Sequence, residues 1–151
     1  MLFNFGLLAT LAALASASPL SSTSSSLAER NSDITRLGSV GKTLSGGTSF
    51  GNLVFVSGQV PVVNNTVVPG GIKNETAVCI EKVAAVLKEA GTDWSRVLKV
   101  TVLMQDINDF ANMNEVYNAM IPDPKPARSA FEVGNLPVAG ISVEIEAIAA
   151  L

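Results

Sequence analysis

The sequence contains no histidine. That removes Ser-His-Asp and Cys-His nucleophile pairs, and every histidine-based metal site with them. Its single cysteine, Cys79, has no partner for an intrachain disulfide or a CxxC redox pair. Neither GxGxxG nor GxxxxGKS/T occurs, so the usual dinucleotide and triphosphate cradles are missing. Charged residues make up only 15% of the chain, the formal net charge is −3, and no block of Lys or Arg is present. Nucleic-acid binding needs a clustered basic face, so a phosphate-backbone partner is not expected. What remains for chemistry is arginine, carboxylates, backbone groups and bound water.

What is there is a chain of 151 residues, 48% hydrophobic, enough for one domain with a real core and too short for two comfortable ones. Its first 20 residues, MLFNFGLLATLAALASASPL, hold an apolar run from Phe5 to Ala15. Ala15-Ser16-Ala17 then supplies a small-x-small cleavage pattern. The run is too short and too alanine-rich for a good membrane span. Residues 1–17 therefore read as a signal peptide, although no Lys or Arg precedes the hydrophobic stretch. A mitochondrial transit peptide fits less well, because no Arg occurs before Arg30. Secretion is the resulting expectation, with a cytoplasmic location if the leader is not a signal peptide. Asn64-Asn65-Thr66 and Asn74-Glu75-Thr76 are N-x-S/T acceptors, which makes Asn64 and Asn74 candidate glycosylation sites in a secreted protein. Residues 18–33 are serine-rich and read as a flexible lead-in, leaving 34–151 as the domain.

Within that domain Leu53-Val54-Phe55-Val56 predicts a strand ended by a turn at Ser57-Gly58. Asn64-Asn65, flanked by Pro61 to Val63 and Thr66 to Val68, predicts a short hairpin-like excursion. Ala77, Ile80, Ala84 and Leu87 recur at helical spacing, with Asn74 or Thr76 as a cap and Gly91 at the C′ position. Val97 to Met104 predicts a second strand and Asp106 to Met120 a second helix, stopped by Pro122, Pro124 and Pro126. Ala127 to Val133 and Ile141 to Ala150 predict two more strands. The order β–(β)–α–β–α–β–β makes an α+β sandwich of two helices over one face of a mixed sheet. In the last strand Val143, Ile145, Ala147 and Ala149 alternate with Ser142, Glu144, Glu146 and Ile148. Arg128, Ala130 and Glu132 likewise alternate with Ala127, Ser129, Phe131 and Val133. The expectation is one uncovered, polar sheet face carrying Arg128 beside Glu144. Other subunits packed there would bury and pair these charges.

Three segments, GNLVFVSGQVPV (Gly51 to Val62), AVLKEAGTDWSRVLKVTVLMQDINDFANMNEVY (Ala85 to Tyr117) and PARSAFEVGNLPVAGISVEIEAIA (Pro126 to Ala149), resemble the Rid (YjgF-type) family. The resemblance runs from about Gly41 to the C-terminus and includes the PARS and EIEAIA blocks. It implies a chorismate-mutase-like α+β fold, a barrel-like homotrimer and a cleft at each subunit interface. It also implies hydrolysis of 2-imino acids or their enamine tautomers to 2-keto acids and ammonia, with no metal or organic cofactor. Arg128 matches the family's active-site arginine, whose planar guanidinium can grip a substrate carboxylate through two parallel bonds. Glu144 matches the glutamate that holds or activates the attacking water. Ser57 and Gly58 match the segment whose backbone lines the cleft, and Asn114 and Tyr117 fall in the matching helix block.

The chain departs from the family pattern in three places. Leu44 stands where family members commonly carry a tyrosine, Ala130 where a cysteine is frequent, and one extra residue lies between Arg128 and Glu144. Taken without the resemblance, Arg128 reads as a surface or ion-pair arginine and Glu144 as a solvated strand residue. Glu132 and Glu146 read as structural or electrostatic partners, Asn114 and Tyr117 as packing or interface residues, and Cys79 as a small buried hydrophobe. Two alternatives stand beside the deaminase: a non-enzymatic binder of a small carboxylate or hydrophobic ligand, and a secreted chaperone-like trimer without turnover.

Overall fold

The computed structural model describes residues 34–151. The leader at 1–17 and the lead-in at 18–33 lie outside the described residues. Eight strands and two α-helices follow: β1 (Thr35–Val40), β2 (Ser45–Phe50), β3 (Leu53–Gln59), β4 (Val62–Val63), β5 (Thr66–Val67), α1 (Gly71–Glu89), β6 (Val97–Met104), α2 (Phe110–Met120), β7 (Ala127–Glu132) and β8 (Val143–Ala150). Six strands form one sheet in the order β1-β2-β3-β8-β6-β7, and β4 pairs only with β5. All neighbours in the large sheet are antiparallel except β6 and β7, which are parallel and joined through α2. The expected α+β arrangement of two helices on a mixed sheet is present.

Pattern and register agree on where the core lies. Val143, Ile145, Ala147 and Ala149 of β8 are buried, as are Val100, Val102 and Met104 of β6 and Val54 and Val56 of β3. These are the alternate positions of three adjacent strands, and α1 closes over them with Ile72, Cys79, Ile80, Val83, Val86 and Leu87. Met113 and Tyr117 of α2 complete the same core.

Several boundaries differ from the sequence reading, each for a local reason. β1 and β2 were not expected: SGGTSF has almost no hydrophobic alternation, yet it pairs on both edges, with β1 and β3. β3 does not turn at Ser57-Gly58 but continues to Gln59, its register with β8 shifting between Val56 and Gln59. Helix α1 starts at Gly71, before either proposed cap. Its N-cap is Gly70, while the Asn74 amide donates to Pro69 O at 2.6 Å and Thr76 Oγ1 to Ile72 O at 2.7 Å. The predicted single helix from Asp106 begins instead as a 3-10 turn over Ile107–Asp109, because Asp106 caps Asn108 N at 2.9 Å. The hairpin at Asn64-Asn65 is present, both residues holding positive φ (49° and 61°).

Candidate functional site

The register assigns the two central residues to opposite sides of the sheet. Arg128 is the pairing partner of Val100, which in turn pairs with Ala147 on β8. Val100 and Ala147 are both buried beneath the helices, so Arg128 lies on the helix-covered face. Glu144 pairs with Leu103, which pairs with Phe131. That row looks out of the open face, where Phe131 is 47% exposed. The expected single face carrying Arg128 beside Glu144 is therefore corrected. β7 and β8 flank β6 on either side, and the alternation on β7 runs one residue out of step with that on β8. Each strand's alternation was legible in the sequence, but the relative phase of two strands is set only by their pairing.

The Arg128 side is built by α2 and the edge strand β7. Phe110, Asn114 and Tyr117 are spaced four and three residues apart, so they form one stripe of α2. The Arg128 guanidinium carbon stands 4.4 Å from the Tyr117 ring centroid and 5.5 Å from that of Phe110. Both are cation–π distances, and they hold the guanidinium while leaving its N–H donors unspent on the rings. Among the described residues Arg128 has no carboxylate within ion-pair reach. Tyr117 is buried, its hydroxyl has no hydrogen-bond partner, and burial pushes its pKa up while Arg128 pulls it down. Asn114 is half-buried between the two rings on the stripe. Phe110 is not among the residues singled out from the sequence; its helical spacing from Asn114 and Tyr117 is the signal that points to it.

The Glu144 side is built by β3 and β8. Ser57 Oγ donates to Ser45 O at 2.8 Å, which ties β3 to β2 and occupies the hydroxyl proton. At Gly58 a Cβ would collide with the Glu144 carboxyl group, so only glycine lets the carboxylate rest against the β3 backbone. Gln59, not singled out in the sequence, donates from Nε2 to Ser57 O at 2.9 Å and fixes the irregular end of β3. Partial burial raises the Glu144 pKa above the ordinary carboxylate range, and the neighbouring Glu146 raises it further. Glu146 is exposed on the same face. Leu44, directly before β2, is 63% exposed at this end of the sheet.

Other candidates have structural surroundings. Glu132 Oε2 accepts from Ile107 N at 2.9 Å and so anchors the 3-10 turn. Cys79 is fully buried, its thiol pushed up to about 12 by burial, which leaves it protonated and unreactive. Among the described residues no three His, Cys, Asp or Glu side chains come together as a metal cluster, and no helix is long and apolar enough to cross a membrane.

The molecule is thus a two-helix α+β sheet fold, with an arginine on a helix-side aromatic stripe and a carboxylate packed on glycine across the sheet. Residues 36–151 match the family described as endoribonuclease L-PSP, and the chain belongs to that family, the YjgF/Rid family. It is 46% identical over 102 residues to protein mmf2, mitochondrial, of Schizosaccharomyces pombe, covering 66% of this chain and 81% of that one. It is 42% identical over 98 residues to the 2-iminobutanoate/2-iminopropanoate deaminase of Rattus norvegicus, covering 64% of this chain and 71% of that protein. Among solved structures, yeast Mmf1 superposes with a TM-score of 0.74 at 30% identity, covering 78% of this chain and 98% of that one.

The comparison corrects the expectation of secretion. Two Schizosaccharomyces pombe relatives, mmf2 and mmf1, are named mitochondrial, and none of the relatives compared is named as secreted. The apolar leader misled because a hydrophobic, alanine-rich stretch is a signal of composition alone. With secretion goes the reason for reading Asn64 and Asn74 as glycan acceptors. Asn64 instead supplies a positive-φ turn residue, and Asn74 hydrogen-bonds the entry to α1.

Proposed function

We propose that the protein hydrolyses 2-imino acids and their enamine tautomers to 2-keto acids and ammonia, in a cleft formed between copies of the chain. The observation that carries the reading is the placement of Arg128 and Glu144 on opposite faces of one sheet. Within one chain the two side chains are separated by the sheet itself. Between chains they can meet, if the open face of one copy packs against the β7–α2 edge of the next. The open face invites such a partner: Phe55 (41% exposed), Leu98 (52%) and Phe131 lie on it beside Ile148. A homotrimer with the barrel-like arrangement of a chorismate-mutase-like fold is the assembly proposed.

In that cleft Arg128 anchors the substrate carboxylate through two N–H donors, its plane held by Tyr117 and Phe110. Asn114 and Tyr117 line the same wall, while Ser57 and Gly58 contribute backbone from the facing copy. Glu144 holds a water and takes one of its protons as oxygen bonds to the imine carbon; the C=N π pair moves to nitrogen, which receives that proton back from Glu144. The resulting amino alcohol loses ammonia as the carbonyl forms, so one water is consumed for each ammonia released. This chemistry requires no cofactor. It is supported by the rat relative's name and by the sequence's lack of histidine and cysteine chemistry. The family description mentions an endoribonuclease, but the net charge of −3 and the lack of a basic block favour a small anion over a polyphosphate chain.

Leu44 supports a second reading, a small-ligand-binding or chaperone-like protein using the same cleft without turnover. Imines generated freshly by an amino-acid oxidase separate the two. The deaminase reading expects wild-type protein to accelerate keto-acid release and Arg128→Ala to fall to the uncatalysed rate. Equal rates with wild type, Arg128→Ala and no protein exclude it, and ligand binding lost in Arg128→Ala then selects the second reading.

A further inference from the structure

Among the described residues Glu75 is the only buried charged residue, at 3% exposure. It belongs to neither half of the site. Its carboxylate forms no ion pair among those residues, and its hydrogen bonds go to one place. Oε2 accepts the backbone N–H of Ser142 at 2.5 Å, and Oε1 accepts the Ser142 hydroxyl at 3.3 Å. One turn along α1, the Cys79 thiol points its weak donor at Val143 O, 3.9 Å away. From the other side Gln105 N donates to Ser142 O at 2.9 Å. The residues pinned between α1 and the end of β6 are thus Ser142 and Val143, and the next residue is Glu144.

Burying a carboxylate away from a cation opposes folding, and an apolar side chain would fill the same volume without that penalty. What an apolar side chain cannot do is accept the Ser142 N–H at the point where the loop becomes β8. Strand side chains alternate between faces, so the residue at which β8 begins decides where Glu144 is delivered. Its carboxylate has to settle on Gly58 of β3, where the fit excludes even a methyl group. We propose that Glu75 is a positioning residue for Glu144, fixing the start of β8 from within the core. The inference rests on the deaminase reading for its effect on rate, and on geometry alone for its effect on the strand.

Two variants and two measurements test it. Glu75→Asp keeps the charge but withdraws the acceptor by one methylene, and Glu75→Gln keeps a carbonyl oxygen in reach of Ser142 N–H. Glu75→Asp is expected to lower kcat about tenfold with KM little changed, because the Arg128 wall is untouched, while Glu75→Gln stays within about twofold of wild type. Amide exchange at Val143 to Ile145 is expected to quicken about tenfold in Glu75→Asp and not in Glu75→Gln. Wild-type kcat and exchange in a folded Glu75→Asp overturn the proposal, as does equal damage in both variants. If the wild type proves inactive on imines, the deaminase reading fails alone, and the exchange comparison still decides the positioning claim.

Discussion

Arg128 is held by rings rather than by a carboxylate, and that choice shapes what it can do. A buried ion pair would spend its donors, whereas stacking on Tyr117 at 4.4 Å leaves the N–H edge for a ligand. Arg128→Lys retains charge but loses both the planar fork and most of the stacking. It should reduce kcat/KM about 10–100-fold, the range for a lost charge-assisted hydrogen bond, when keto-acid release is followed at varied imine concentration. Glu144 gives a pH signature. A base must be ionised, so activity should fall as pH drops through its raised pKa. Glu146→Gln removes the like charge that helps raise it and should move this acid limb to lower pH. For stability the sign is opposite. The raised pKa favours the fold below the ordinary carboxylate range, and that contribution is lost as pH rises through the folded-state value. Thermal melts of wild type and Glu144→Gln across that window check the sign.

At the scale of elements, β3 and β8 carry the site through one close contact. Gly58→Ala places a methyl where the Glu144 carboxyl rests. The end of a flexible side chain can move, so the fold should survive with a loss of about 1–3 kcal/mol, while Glu144 is displaced. A small drop in melting temperature with kcat reduced at least as far as in Glu75→Asp is the expected pair of results. Much of the element pattern was legible beforehand: β6 came out at the predicted Val97–Met104, and the buried side of β8 followed its alternation. β1 and β2 were not legible, because Gly46 and Gly47 replace the hydrophobic alternation that marks a strand, even though both pair with their neighbours along the chain. Arg128, Glu144 and Gly58 could be named from motif resemblance. The side of the sheet each occupies could not, since that depends on register between β6, β7 and β8. Glu75 gave no motif signal, for its importance lies in a contact with Ser142, 67 residues away.

For the molecule as a whole, the separation of Arg128 from Glu144 turns the site into a statement about assembly. In the proposed deaminase reading, two half-sites on opposite faces of one chain make a working site only where copies meet, and loss of association should therefore remove activity with both residues intact. The most direct test mixes two inactive proteins. Arg128→Ala keeps the Glu144 half-site and Glu144→Gln keeps the Arg128 half-site. Co-refolded in equal amounts and allowed to assemble at random, they should recover about a quarter of wild-type activity, since one interface in four receives both native residues. No recovery from a mixture whose co-assembly is demonstrated would contradict a site shared between copies, and would return both residues to the same chain.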